Sequence, residues 1–285
     1  MIELFRPLLR GFGQLIFMPH CGAGVMVLLA ILVNSPLMFL AAIVGGLGGT
    51  LVGRWVMVKS AFQDGLAGFN GVLLGLAAVI FLQSSALLWL VIFIGAGVGA
   101  YCFNWGLMRN WPLLTAPYIC VMLLMWWQLP TLVQPDGGIG LNFADHTVVS
   151  ALLAGIGQMG FQGNVLSAAI IMLGLLWGGS WRALGWASIG SACGTLLGLA
   201  GATEQHLMIA GFAGYNSALI AVALGVVSGH RIKSWQPWLG MLVAGLLALW
   251  GFQLSIIPVL TIPFVLAMWI VMLVETLKRR RRGEF

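Results

Sequence analysis

Pro112-Leu113-Leu114-Thr115-Ala116-Pro117 returns 146 residues later as Pro258-Val259-Leu260-Thr261-Ile262-Pro263. Proline inside a helix removes a backbone hydrogen bond and clashes with the preceding turn. Two prolines five residues apart therefore predict a broken helix, once in each half of the chain. At membrane depth such a break is tolerated only where the freed backbone is buried in protein or lines a water-filled cavity. A break that recurs marks a pathway, with Thr115 and Thr261 offering hydroxyls to it. A single copy reads more simply as a proline kink whose Thr bonds its own backbone. Duplication favours the pathway.

The repeat extends outward from this element. Gly11-Phe12-Gly13-Gln14-x-x-Phe17 matches Gly155-Ile156-Gly157-Gln158-x-x-Phe161. Gly49-Thr50-Leu51-x-Gly53 matches Gly194-Thr195-Leu196-x-Gly198. Gly65-x-Ala67-Gly68-Phe69-Asn70 matches Gly211-x-Ala213-Gly214-Tyr215-Asn216, and Leu73 pairs with Leu219. The offset stays nearly constant and the order is kept, which points to a duplicated fold.

Composition sets the environment of that fold. The 285 residues are 61% hydrophobic and only 7% charged, whereas a soluble domain carries about a quarter charged residues. Such a chain cannot cover a water-facing surface. It reads as an all-α polytopic membrane protein, with about ten spans at roughly 20 residues each. Apolar stretches lie at about 11–33, 36–53, 66–83, 86–107 and 112–129. They resume at about 148–177, 183–201, 206–228, 236–252 and 257–277. Residues 1–129 form the first repeat and 148–285 the second, with 130–147 as an external polar linker. Five spans per half is an odd number, so the second repeat enters from the opposite side. That arrangement is an inverted repeat with a pathway where the halves meet.

Charge gives the orientation. Arg6, Arg10, Arg54, Lys59, Arg109, Arg182, Arg231, Lys233 and the run Lys278–Arg282 all fall on one side of the ten-span scheme. Asp136, Asp145 and Glu204 fall on the other. The positive-inside rule puts the basic side, with both termini, in the cytoplasm. The basic tail is a membrane flank whose partner is anionic lipid, not nucleic acid. No cleaved signal peptide is visible.

Other residues narrow the chemistry. Gln14 and Gln158 sit in apolar surroundings, where an unpaired amide is costly. Each either links neighbouring helices or, with Phe17 and Phe161 one turn on, presents hydrogen bonding beside a flat apolar wall. Asn70 and Asn216 read as side chains that tie down exposed backbone. Phe69, Leu73, Tyr215 and Leu219 share their segments and could line a narrow passage. Cys21, Cys102, Cys120 and Cys193 read as buried free thiols. His20, His146, His206 and His230 form no metal constellation. No phosphate loop or nucleophile motif is present, and no cofactor is expected. No span centre carries a charged residue, so the natural cargo is small, neutral and polar, and its movement is downhill.

With these residues placed, the sequence resembles the urea transporter family, whose signature is Leu-Pro-x-x-Thr-x-Pro-Phe in each half. Ile257–Phe264 departs from it only by Ile for Leu, while Trp111–Tyr118 carries Trp and Tyr at its ends. Gly68–Leu73 and Gly214–Leu219 resemble the family's Gly-aromatic-Asn segments. Met18–Gly24 departs from the Asn-Pro-x-Ser-Gly-like stretch usual there. The resemblance implies tilted half-helices, a pore in each subunit, a homotrimer and a bacterial inner-membrane setting. It implies a ladder of oxygen atoms with apolar slots at its ends. Gln14, Phe17, Phe69, Leu73, Thr115, Gln158, Phe161, Tyr215, Leu219 and Thr261 are the residues implied to meet urea. Urea has four N–H donors and one carbonyl, so acceptors along its edge replace lost water while apolar walls meet its faces.

Other readings are a channel for a different small amide or amine, an intramembrane enzyme, and a structural membrane subunit. The missing nucleophile, metal cluster and acid/base pair disfavour the enzyme. Absence of solute flux in liposomes would favour the subunit. The topology gives the first expected outcome. A cysteine placed at Asp136 should label from outside intact cells, and one placed at Lys233 should not. Labelling at both positions would overturn the ten-span scheme.

Overall fold

In a computed structural model, residues 2–133, 147–201, 203–254 and 258–282 are described. The apolar stretches become helices because a chain with few charges and little water around it must satisfy its backbone internally. The first half contains α1 (Ile2–Gly13), α2 (Cys21–Asn34), α3 (Pro36–Val56), α4 (Lys59–Gln63), α5 (Phe69–Phe81), α6 (Ala86–Met108) and α7 (Ala116–Gln128). The second contains α8 (Val148–Gly157), α9 (Val165–Gly178), α10 (Trp181–Ala200), α11 (Gln205–Ile209), α12 (Tyr215–Val222), α13 (Trp235–Leu254) and α14 (Ile262–Arg281). Among the described residues there is no strand beyond one isolated bridge, Leu82 to Val133. Residues 134–146, most of the expected linker, lie outside the described residues, as do Asp136, Asp145 and His146.

Helix starts follow local chemistry. Ser35 and Ser85 accept hydrogen bonds from the Met38 and Leu88 amides, at 3.3 and 3.1 Å. Each thereby satisfies one of the free N–H groups at the start of α3 or α6. Thr147 does the same for α8, with Ser150 closing a reciprocal box.

The expected spans are not all continuous. Four helices, α3, α6, α10 and α13, are each long and apolar enough to cross a membrane. The stretches at 11–33 and 148–177 are instead bent pairs, with turns of 72° and 64°. The bend has the same cause in both. Phe17 and Phe161 each adopt a left-handed backbone at φ 61°, which a helix cannot contain. Helices α5 and α7 are shorter apolar pieces, as is α12 with its π-helical extension to Val227. Helix α14 ends in the basic run, with Lys278 to Arg281 in its last turn.

Packing follows the repeat. Helix α5 lies against α3 and α6, and α12 lies against α10 and α13. Glycine permits the closest approaches. A Cβ on Gly45 would stand 2.0 Å from the Gly71 carbonyl oxygen, and one on Gly190 would stand 2.5 Å from the Ser217 carbonyl oxygen. Backbone meets backbone at both places, the geometry small residues provide between membrane helices. The halves join through α2 and α9. There the Ser167 hydroxyl donates to the Ala30 carbonyl at 2.8 Å, and Asn164 Nδ2 donates to Asn34 Oδ1 at 2.5 Å. Buried apolar side chains of both halves, among them Phe12, Tyr118 and Phe264, form one continuous core.

The cysteines correct one expectation. All four are free, but Cys102 and Cys120 are exposed and Cys21 and Cys193 only half-buried. An apolar helix here has an outward face suited to lipid, so apolar neighbours in sequence do not imply burial in protein.

Candidate functional site

The broken segments are built alike. Residues Pro112–Thr115 and Pro258–Thr261 are not helical, and Leu114 and Leu260 take left-handed backbones at φ 54° and 46°. The second proline of each motif does not sit inside a helix. Pro117 and Pro263 occupy the first turns of α7 and α14, where the missing N–H has no partner to lose. The motif thus ends one segment and starts the next helix.

Asparagine repairs the backbone at each break. Asn70 Nδ2 donates to the Leu114 carbonyl at 3.2 Å, and Asn70 Oδ1 accepts from the Tyr118 amide at 3.3 Å. Asn216 Nδ2 donates to the Leu260 carbonyl at 3.3 Å, and its Oδ1 accepts from the Phe264 amide at 3.1 Å. Both side chains are almost fully buried. The reading of these two residues as ties for exposed backbone matches this geometry.

The two glutamines also behave alike. Gln14 Nε2 donates to the Asp64 carbonyl at 2.8 Å, and Gln158 Nε2 donates to the Ala210 carbonyl at 2.9 Å. Each carbonyl precedes a glycine with positive φ, Gly65 at 79° and Gly211 at 80°. A Cβ there would also strike the neighbouring backbone, within 2.3 Å in both cases.

The halves meet at the threonines. Thr115 Oγ1 and Thr261 Oγ1 lie 2.8 Å apart, both buried. The Tyr118 hydroxyl lies 2.8 Å from Thr261 Oγ1. The Tyr215 hydroxyl donates to the Leu260 carbonyl.

A cavity of about 590 Å³ leads to this junction. Gln14, Phe17, Phe69 and Thr115, four of the ten sequence-derived candidates, line it. Phe264 and Thr115 close its inner end, and Asp64, Trp111 and Val227 also border it. Phe17 and Phe264 pack with ring centroids 5.7 Å apart, and Phe69 meets Phe103 edge-on at 5.2 Å. Asp64 is the one charged residue among those lining it, and Arg10 Nη1 stands 3.4 Å from its carboxylate. The other six candidates, Leu73, Gln158, Phe161, Tyr215, Leu219 and Thr261, are buried and do not border this cavity. Thr261 touches the cavity's wall through its bond to Thr115.

Sequence reasoning missed several members. Asp64 carried no signal beyond its place before Gly65. Phe103 sits alone on α6 and has no repeat partner of its own type. Tyr118 and Phe264 were visible as the terminal positions of the signature, but their inward direction was not. Among the described residues no group of three or more His, Cys, Asp or Glu side chains could hold a metal ion.

Comparison with known proteins gives a consistent result. A family model described as "Urea transporter" matches residues 5–276. The chain is 26% identical to urea transporter 1 of Ovis aries over 296 residues, covering 94% of this chain and 76% of that protein. It is also 26% identical to urea transporter 1 of Rattus norvegicus, covering 84% of this chain and 67% of that one.

The asparagine ties yield an expected outcome. Asn216→Ala leaves the Leu260 carbonyl and the Phe264 amide short of a partner in a buried place. It should lower stability by about 1–3 kcal/mol, read as a lower melting temperature of the detergent-purified protein. An unchanged melting temperature would remove Asn216 from this role.

Proposed function

This chain belongs to the urea transporter family, and from that premise we propose how it passes urea across a membrane without coupling. One observation carries the proposal. A cavity walled by aromatic rings and bordered by Gln14 ends on Thr115, whose hydroxyl pairs with that of Thr261 from the other half.

The chemistry suits a flat, neutral, donor-rich solute. Urea stripped of water needs acceptors for its N–H groups, and leaving them unpaired costs several kcal/mol. The oxygens of Thr115, Thr261 and Gln14 and the carbonyl of Leu114 are the acceptors at hand. Phe17, Phe69, Phe103 and Phe264 supply flat apolar walls for the faces. An ion would surrender far more hydration than these neutral groups return. The single carboxylate, Asp64, is paired with Arg10 at the cavity's border and not at its inner end. The chain is therefore read as a channel and not as an enzyme.

The wider arrangement belongs to the same proposal. Residues 1–129 and 148–285 are two inverted halves of five crossings each, joined outside by 130–147. The pathway lies at their meeting, and Gln158, Phe161, Leu73, Tyr215 and Leu219 continue it beyond the threonines. The matched backbone at Phe17 and Phe161, Gly65 and Gly211, and Leu114 and Leu260 supports this symmetry. Both termini are cytoplasmic, with the membrane a bacterial inner membrane. Subunits assemble as homotrimers among lipids, each with its own pore.

Stopped-flow urea flux in proteoliposomes tests the function. Flux should follow the urea gradient and ignore a protonophore, because the sequence puts no Asp, Glu, Lys or Arg at the centre of an expected span to carry a proton. Accumulation above equilibrium driven by a pH gradient would contradict the passive reading.

The threonine gives a sharper outcome. Thr115→Val keeps the shape and removes one acceptor. One lost hydrogen bond to a dehydrated solute raises the barrier by about 1–3 kcal/mol, slowing urea by roughly one to two orders of magnitude. Thr115→Ser should stay near the parent rate. A well-inserted Thr115→Val protein with parental flux would detach Thr115 from the pathway.

A further inference from the structure

The halves carry their phenols crosswise. Three residues beyond the signature threonine stands Tyr118 in the first half and Phe264 in the second. Before the buried asparagine stands Phe69 in the first half and Tyr215 in the second. The repeat therefore places rings at four matched positions and adds a hydroxyl at only two of them.

Both hydroxyls converge on oxygens of the second half. The Tyr118 hydroxyl crosses the seam to Thr261 Oγ1 at 2.8 Å, and the Tyr215 hydroxyl donates to the Leu260 carbonyl. Either oxygen of each pair can donate; the phenol is the more acidic hydroxyl, which favours donation from Tyr118 to Thr261 and from Thr261 to Thr115, also 2.8 Å away. A carbonyl oxygen has two lone pairs. The Leu260 oxygen receives both the Tyr215 hydroxyl and Asn216 Nδ2, so it is filled. The matching Leu114 carbonyl receives Asn70 Nδ2 but no phenol, because Phe69 has none to give. Acceptors at the centre are thus partly consumed by the protein, and more so on the second half.

We propose that Tyr118 is a specificity-determining residue, whose hydroxyl competes with the passing solute for the Thr261 oxygen. This rests on the urea reading and deepens it. A solute with amide donors at both ends needs acceptors on both halves at once, and Tyr118 occupies one of the two acceptor sites on the Thr261 oxygen. A solute with donors at one end can use the freer first-half oxygens alone. The phenol therefore slows urea more than it slows acetamide. The side chain is 1% exposed within the core, and Phe264 shows that the same position accepts a plain ring in the other half.

The test is stopped-flow flux of urea and of acetamide through proteoliposomes holding the parent, Tyr118→Phe or Tyr101→Phe. Tyr101 is exposed on α6 and serves as the control. Tyr118→Phe should conduct urea about three- to tenfold faster, the effect of one freed hydrogen bond. The ratio of urea to acetamide flux should rise by at least about twofold, since only urea needs the second acceptor. Tyr101→Phe should change neither. If Tyr118→Phe does not insert, Tyr118→Leu removes the same hydroxyl and takes its place. Unchanged or slower urea flux overturns the proposal. So does an equal rise for both solutes, which would mean only a wider passage. A silent parent beside a conducting Tyr118→Phe protein supports it. No urea flux in any of the proteins overturns the urea reading itself, and the inference with it.

Discussion

Backbone groups freed inside an apolar environment must find partners within the protein, and the centre of this fold depends on that requirement. Two chain segments break where a helix could have continued, and each break exposes carbonyls and amides. Asn70 and Asn216 close both breaks by the same pair of bonds, one donated and one accepted. Because these side chains come from α5 and α12, the broken segments are tied to helices that are themselves packed by glycine against α3 and α10. The positions of Thr115 and Thr261 follow from this chain of contacts. Loosen the asparagine and the threonine has no fixed place.

The same constraint explains why the junction is polar without being charged. Carbonyls and hydroxyls that must be neutralised by neighbours are also the groups that can be lent to a neutral solute. A side-chain charge at this depth would need its own partner and would dominate every weaker interaction around it. The one carboxylate bordering the cavity, Asp64, sits with Arg10 and is half exposed. Its backbone carbonyl, not its charge, holds Gln14.

Much of this was legible in the sequence. The nearly constant offset announced paired breaks, paired glutamines and paired asparagines, and those pairs do share geometry. The bends after Gln14 and Gln158 were not legible as bends. Hydropathy runs smoothly through 11–33 and 148–177, and a left-handed Phe is not written in composition. The short helices within 66–83, 112–129 and 206–228 agree with the breaks expected at the paired prolines and the ties expected at Asn70 and Asn216, although hydropathy alone gives them a full-length look. Apolar residues that line a turn buried in protein count the same as those in a helix. Cys102 and Cys120 show the converse, since apolar context cannot tell a lipid-facing position from a buried one. Of the ten residues singled out for the site, four border the cavity. Side-chain direction chose among them, and that depends on backbone angles at Phe17, Leu114, Phe161 and Leu260 which no spacing rule supplies.

Matched backbone geometry occurs at paired positions of the chain, while the side chains there are free to diverge. The positive-φ glycines, the two asparagines and the helix-starting prolines recur in both halves, since each answers a geometric need, although Gly71, which packs on Gly45, is matched by Ser217. Other positions that differ are those whose ring or carboxylate the backbone does not require. Phe69 against Tyr215, Tyr118 against Phe264 and Asp64 against Ala210 are of this kind. In each case the backbone bond beside the residue survives the exchange: Gln14 and Gln158 both find a carbonyl, whatever side chain it carries. The paired backbone breaks therefore account for where the junction lies, and the exchanged side chains account for its chemical direction. One approach to the threonines is a cavity walled by phenylalanines, and on the second-half side the oxygens are engaged by phenols.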